Sequence, residues 1–139
     1  MAAIQAVMLG IETRLATIEG LRASAISPDQ INPPAAIVGV PAITDYQQAY
    51  GRGKYLLEPS ITVLVSAALD RTGQMALAEY AALTGAKSIP AAIQGDRTLN
   101  GAAEDAEIQS FRPLGLEDVG LIGYYGGQFI LRCMVKEAI

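Results

Sequence analysis

A chain of 139 residues suggests one domain, 1–139, long enough to bury a single core. Half of it is hydrophobic (51%) and only 17% is charged, which excludes a disordered polymer. The net charge of −4 argues against a protein that grips nucleic acid through its phosphates. Histidine is absent, which removes the usual neutral-pH base and the commonest metal ligand. The single cysteine, Cys133, has no partner for an internal disulfide, and the chain reads as one made for a reducing compartment.

In chain order, Ile4, Met8, Ile11, Leu15 and Ile18 recur every three or four residues, with Val7 and Leu21 widening the stripe. That spacing predicts an amphipathic helix ending near Gly20. A single Arg on its polar side does not suit a membrane-surface helix. The N-terminal stretch is interrupted by Gln5, Glu12 and Arg14, unlike a secretory signal, and the apolar run 61–69 is too short to span a bilayer. After the breaker "SPDQINPP", residues 35–43 read as a strand that Pro41 ends or places at an edge. "TDYQQAYGRGKYLLEPS" reads as a connection, and the β-branched run 61–67 as the clearest strand.

Asp70 and Thr72 are candidate caps for a helix through "GQMALAEYAALTGAK", stopped by Gly85. Ser88 is expected to cap a short helix with Pro90 in its first turn and Gly95 at its end. Asn100-Gly101 then turns the chain into a strand over 103–112. In that strand Ala106, Ile108, Ser110 and Arg112 alternate with Glu107, Gln109 and Phe111. "LEDVGLIGYYGG" reads as a loop or a bent strand start. A last strand, "QFILRCMVKEA", puts Phe129, Leu131, Cys133 and Val135 on one face. The fold expected is α+β: a mainly antiparallel four-stranded sheet, with an N-terminal helix, a central helix and a short helix on one face. The element order is α-β-β-α-α-β-β.

The sequence offers little chemistry. Cys133 sits in an apolar strand with no His to activate it, which fits a buried structural thiol. Glu104, Asp105 and Glu107, and the pair Glu117 and Asp118, fit a solvated or interface acidic face better than a glycosidase pair, since Trp is absent. "TGAKS" lacks the upstream glycine of a phosphate loop, and the acidic residues lack the alternating D-x-D-x-D-G pattern of an oxygen-ligand cation loop, so no cofactor or metal is expected. Tyr46, Tyr50, Arg52, Lys54 and Tyr55 could stack on single-stranded nucleic acid, but Tyr and Arg are also the residues enriched where proteins meet. Net acidity favours the protein contact.

The order of elements resembles the tail terminator proteins of long-tailed bacteriophages, including those of actinobacterial phages. "NPPAAIVGVP", the Tyr- and Gly-bearing loop before "ITVLVS", "MALAEYAALTG" and the final "GGQFILRCMV" carry the likeness over nearly the whole chain. The most specific piece is Ser88, Ala91, Ala92, Ile93, Asp96, Thr98, Leu99 and Gly101, followed by acidic residues entering a strand. The resemblance implies a non-catalytic virion protein at the junction of tail and neck, assembled in the host cytoplasm. It would form a homo-oligomeric ring, usually of six copies, that caps the tail tube and docks a neck or connector protein. DNA would pass through without specific binding, and no membrane is involved. Glu104, Asp105, Glu107, Glu117 and Asp118 are expected to include lumen-facing charges. Tyr46, Tyr50, Arg52, Lys54, Tyr55, Leu99, Tyr124 and Tyr125 are expected at contacts with neighbouring copies or rings. The alternatives are another phage neck or head-completion protein, or a small ligand-binding regulatory α+β domain.

Overall fold

The computed structural model describes the backbone of residues 3–24, 34–45, 54–66, 71–99, 101–119 and 122–136. Side chains are described for 4–24, 34–43, 56–65, 73–99, 101–113 and 125–135. The elements are α1 (Ala3–Leu15), β1 (Arg22–Ser24), β2 (Ala35–Val38), β3 (Ala42–Asp45), β4 (Lys54–Glu58), β5 (Ser60–Ser66), α2 (Arg71–Ala81), α3 (Ile89–Gln94), β6 (Asp105–Val119) and β7 (Ile122–Lys136). The class is α+β, with a mixed sheet of seven strands and three helices among the described residues.

Seven strands replace the four expected because the run 35–43 splits at Gly39 to Pro41, the stretch read as a connection contributes β4, and β1 is added. β4 and β5 follow one another along the same edge of β7, from Lys54 opposite Lys136 to Ser66 opposite Tyr125. Pro59 interrupts them, yet its carbonyl still accepts a hydrogen bond from the Leu131 N–H at 2.9 Å, which keeps the two halves in line. β2 and β3 likewise run along β5 and then β4, broken at Gly39 to Pro41. The Gly39 N–H donates to the Ser60 carbonyl at 3.1 Å, but Pro41 has no N–H to give. The added strand, β1, pairs parallel to β2 and makes the sheet mixed. Its three residues carry no pattern that could have announced it.

Both long helices are shorter than the apolar spacing suggests. α1 ends at Leu15 although Ile18 and Leu21 are buried, and α2 ends at Ala81, beyond which Leu83 is exposed. Burial of Ile18 and Leu21 continues through a turn, with Gly20 at φ 83°, so the stripe outlasts the helix. Gly85 has φ 118° but lies four residues beyond the helix it was expected to stop. Thr72 falls inside α2, and Asp70 lies outside the described residues.

One face of the sheet carries the core. Phe129, Leu131, Cys133 and Val135 of β7 are all fully buried, as the alternation predicts. They join Leu57, Ile61, Val63, Ala36, Val38 and Ala106 from neighbouring strands and Val7, Ile11, Leu77, Tyr80, Ile89 and Ile93 from the helices in one cluster. On the other face Ala35, Leu64 and Ile37 form a small second cluster.

The alternation expected across 103–112 fails at one point. The register with β7 shifts between Ile108 and Ser110, which leaves Gln109 as the extra residue of a bulge. The bulge moves Phe111 onto the core side, where its ring lies 4.7 Å from that of Phe129 at a 46° tilt. Ser110 and Arg112, expected alongside Ile108, are exposed.

The segment from Ser88 to Gly101 folds largely as its residues dictate. The Ser88 hydroxyl accepts from the Ala91 N–H at 3.1 Å and donates to the Ala82 carbonyl, so it caps α3 and ties it to the end of α2. Pro90 sits in the first turn and Gly95 at the C-cap. Arg14 of α1 donates through Nε to the Ala92 carbonyl at 2.9 Å, satisfying an end-of-helix acceptor. The Asp96 carboxylate accepts from the Thr98 N–H (3.1 Å) and hydroxyl (2.6 Å), a local turn that delivers Leu99 into the left-handed region at φ 51°. Leu99 is buried beneath α1, against Gly10.

That contact sets a test. A Cβ on Gly10 would lie 2.5 Å from the Leu99 carbonyl oxygen and 2.9 Å from its Cβ. Gly10→Ala gains about 1 kcal/mol of helix propensity. The overlap with a backbone already held by the Asp96 turn costs about 1–3 kcal/mol. We expect a net loss in urea unfolding. A more stable variant would show that α1 does not press on Leu99.

Candidate interaction surface

Asp105 and Glu107 stand near the start of β6 with Arg97, which reaches them from the turn after α3. The Arg97 guanidinium grips Asp105 with two bonds, Nε to Oδ1 at 2.7 Å and Nη2 to Oδ2 at 2.8 Å, and lies 3.8 Å from Glu107. The hydrogen bond and charge of Asp105 push the guanidinium pKa up. All three side chains are about half exposed, so the network contributes little to stability. Arg97 is the member that sequence reasoning missed. Its place eight residues before Asp105 gave no periodic signal, because a turn and a strand start intervene.

Glu104, Asp105 and Glu107 are exposed, as expected of an acidic face. Glu117 and Asp118 lie near the other end of the same strand, and their side chains are outside the described residues. At about 3.3 Å per residue the two groups are roughly 40 Å apart along β6. The five carboxylates therefore make two separate groups, not one site.

The residues expected at contacts between copies are placed unevenly. Tyr46, Tyr50 and Arg52 lie outside the described residues. Lys54 and Tyr55 open β4, opposite Lys136 and Val135, and Tyr124 lies in β7 opposite Glu117; the side chains of all three are outside the described ones. Tyr125 is half-buried and packs against the core. Leu99 is a correction: its side chain is fully buried in its own chain and presents nothing to a neighbour. The turn chemistry that makes this segment distinctive aims the leucine inward.

The stretch read as a loop or bent strand start is a β-hairpin. β6 and β7 pair along their whole lengths, from Asp105 opposite Met134 to Val119 opposite Ile122. The last described pair of β5 with β7 is Ser66 opposite Tyr125. Among the described residues, 117–119 and 122–124 pair only with one another. Beside the middle of β6 lies an open groove of about 280 Å³, walled by Leu83, Pro90, Ile108, Phe111 and Phe129, with Arg97 and Glu107 at its rim. Leu83 is 76% exposed there.

No reactive set accompanies these surfaces among the described residues. Burial pushes the Cys133 thiol up to about 12, with the negative charge of Asp105 adding to the effect. A protonated thiol at neutral pH is a poor nucleophile. Burial, then the charge of Glu79, also raises the Tyr80 hydroxyl. The raised thiol has a consequence for stability. The folded chain favours the neutral form, so its contribution is complete below the ordinary value of 9.0 and is lost as pH climbs toward about 12. Over that window the wild type should lose more stability than Cys133→Ala, measured by urea unfolding. Equal losses would show that the thiol is not buried as described.

A scan against protein-family models finds no match to the chain, and a search of curated proteins finds none either.

Proposed function

We propose that the chain is a structural protein of a bacteriophage tail, a ring-forming terminator that caps the tail tube, stops its growth and offers a face to the neck connector. The reading starts from the resemblance over Ser88 to Gly101 and the flanking elements. The structural observation that supports it best is the end of the β6–β7 hairpin, which extends beyond β5 among the described residues. A two-stranded end has marginal stability alone in water. The sequence there, Leu116 to Tyr125, includes Leu121, Ile122 and Tyr124, and suits a segment that rests on a neighbouring copy or ring. Contacts of unlike surfaces between copies close into a ring when the rotation allows it. The acidic balance suits a lumen through which DNA slides without being held.

The test is tube length. Tube protein polymerised alone should give tubes of unrestricted length, and addition of this chain should shorten and cap them. Tyr50→Ala with Tyr55→Ala should weaken capping while the circular dichroism of the free chain is unchanged. Tube lengths indifferent to the wild-type chain would refute the reading.

A further inference from the structure

We propose that strand β6 also pairs edge to edge with the same strand of a second copy, about a two-fold axis between Gln109 and Ser110. Among the described residues β6 pairs only with β7, and none of them pairs along its other edge. Such an edge is a template for another strand. The segment along it reads Glu107, Ile108, Gln109, Ser110, Phe111, Arg112. Paired antiparallel with itself about its centre, it sets Glu107 opposite the partner's Arg112 and Ile108 opposite the partner's Phe111. Both matches occur twice.

The two sides of the sheet match separately. An axis normal to the sheet keeps each face on its own side, so the core-side row and the outer row must each complement themselves. Ile108 and Phe111 are both half-buried and packed against the core. Glu107 and Arg112 are both exposed. Ile108 and Phe111 share a side only because Gln109 is bulged; three residues apart in a regular strand, they would face opposite ways. The present partners of the two charges are weak: Glu107 is 3.8 Å from Arg97, and Arg112 donates to Gln128 at 3.3 Å. Leu83, in the groove with Ile108 and Phe111, would be brought toward the dyad and covered. Pro113 and the second register shift, between Leu114 and Leu116, limit the pairing to the first half of the strand. A two-fold contact is complete with two copies and does not propagate.

This pairing belongs to the chain away from the tube and stands apart from the ring reading. Sedimentation of the full-length chain tests it, with wild type, Glu107→Arg, Arg112→Glu and the double reversal. The wild type should show a reversible two-copy species. Either single reversal sets like charges opposite each other twice and should weaken association at least about tenfold. The double reversal should restore it. The double variant still sets the arginine introduced at position 107 beside Arg97 in each copy, so recovery would not reflect a repaired fold. A wild type that stays single at every concentration, association of any size that the single reversals leave unchanged, or a double reversal without recovery would each overturn the proposal.

Discussion

Gly126→Ala should strongly destabilise the protein. Gly126 is buried in β7 opposite Leu64, and a Cβ there would fall inside the Val63 carbonyl oxygen and crowd its carbon at 2.9 Å. The obstacle is backbone, so no rotamer change relieves it. β5 and β7 would have to part at the point where the central pair of the sheet is joined. Overpacking a core with a side chain costs about 1–3 kcal/mol, and a clash between backbones belongs at or above the top of that range. A domain this size has about 5–15 kcal/mol in all. The midpoint of urea unfolding should fall steeply, with the slope retained if the native sheet survives. A variant as stable as the wild type would mean that the strands are not this close.

Phe129→Ala should cost about 3–5 kcal/mol. Phe129 is fully buried at the meeting point of β5, β6 and β7, opposite Ile61 on one side and Phe111 on the other. Its ring is the partner that holds Phe111 to the core side of the bulge. Removal leaves a cavity beside the groove and should also loosen the Gln109 bulge. Hydrogen exchange should therefore rise in β6 around Phe111 more than in β4. Uniform change, or a loss below 1 kcal/mol, would contradict that placement.

These residues also show what the sequence could and could not reveal. The period-two burial of Phe129, Leu131, Cys133 and Val135 was legible because β7 pairs on both edges, with one face against the helices. The α3 cap was legible because Ser88, Pro90 and Gly95 act on their own backbone within a few residues. Phe111 was misassigned because a bulge depends on the partner strand, and no local pattern in β6 announces it. β4 was read as a connection because the glycines and tyrosines before it outweighed Leu56 and Leu57. β1 owes its existence to the edge of β2. Leu99 shows the same limit from the other direction. Its turn was readable, but its burial under Gly10 depends on a helix nearly ninety positions away. The Arg97 bridge was hidden for the same reason, while the exposed carboxylates it joins were plain in the sequence.

The most direct measurement is electron microscopy of tail tubes assembled with this chain present, with averaging of the tube ends. A closed ring of copies, six by the family resemblance, should sit on one end of each tube and match the tube's own rotational symmetry. Tube ends without added density, or chain bound along the tube wall instead of at its end, would contradict the proposed role.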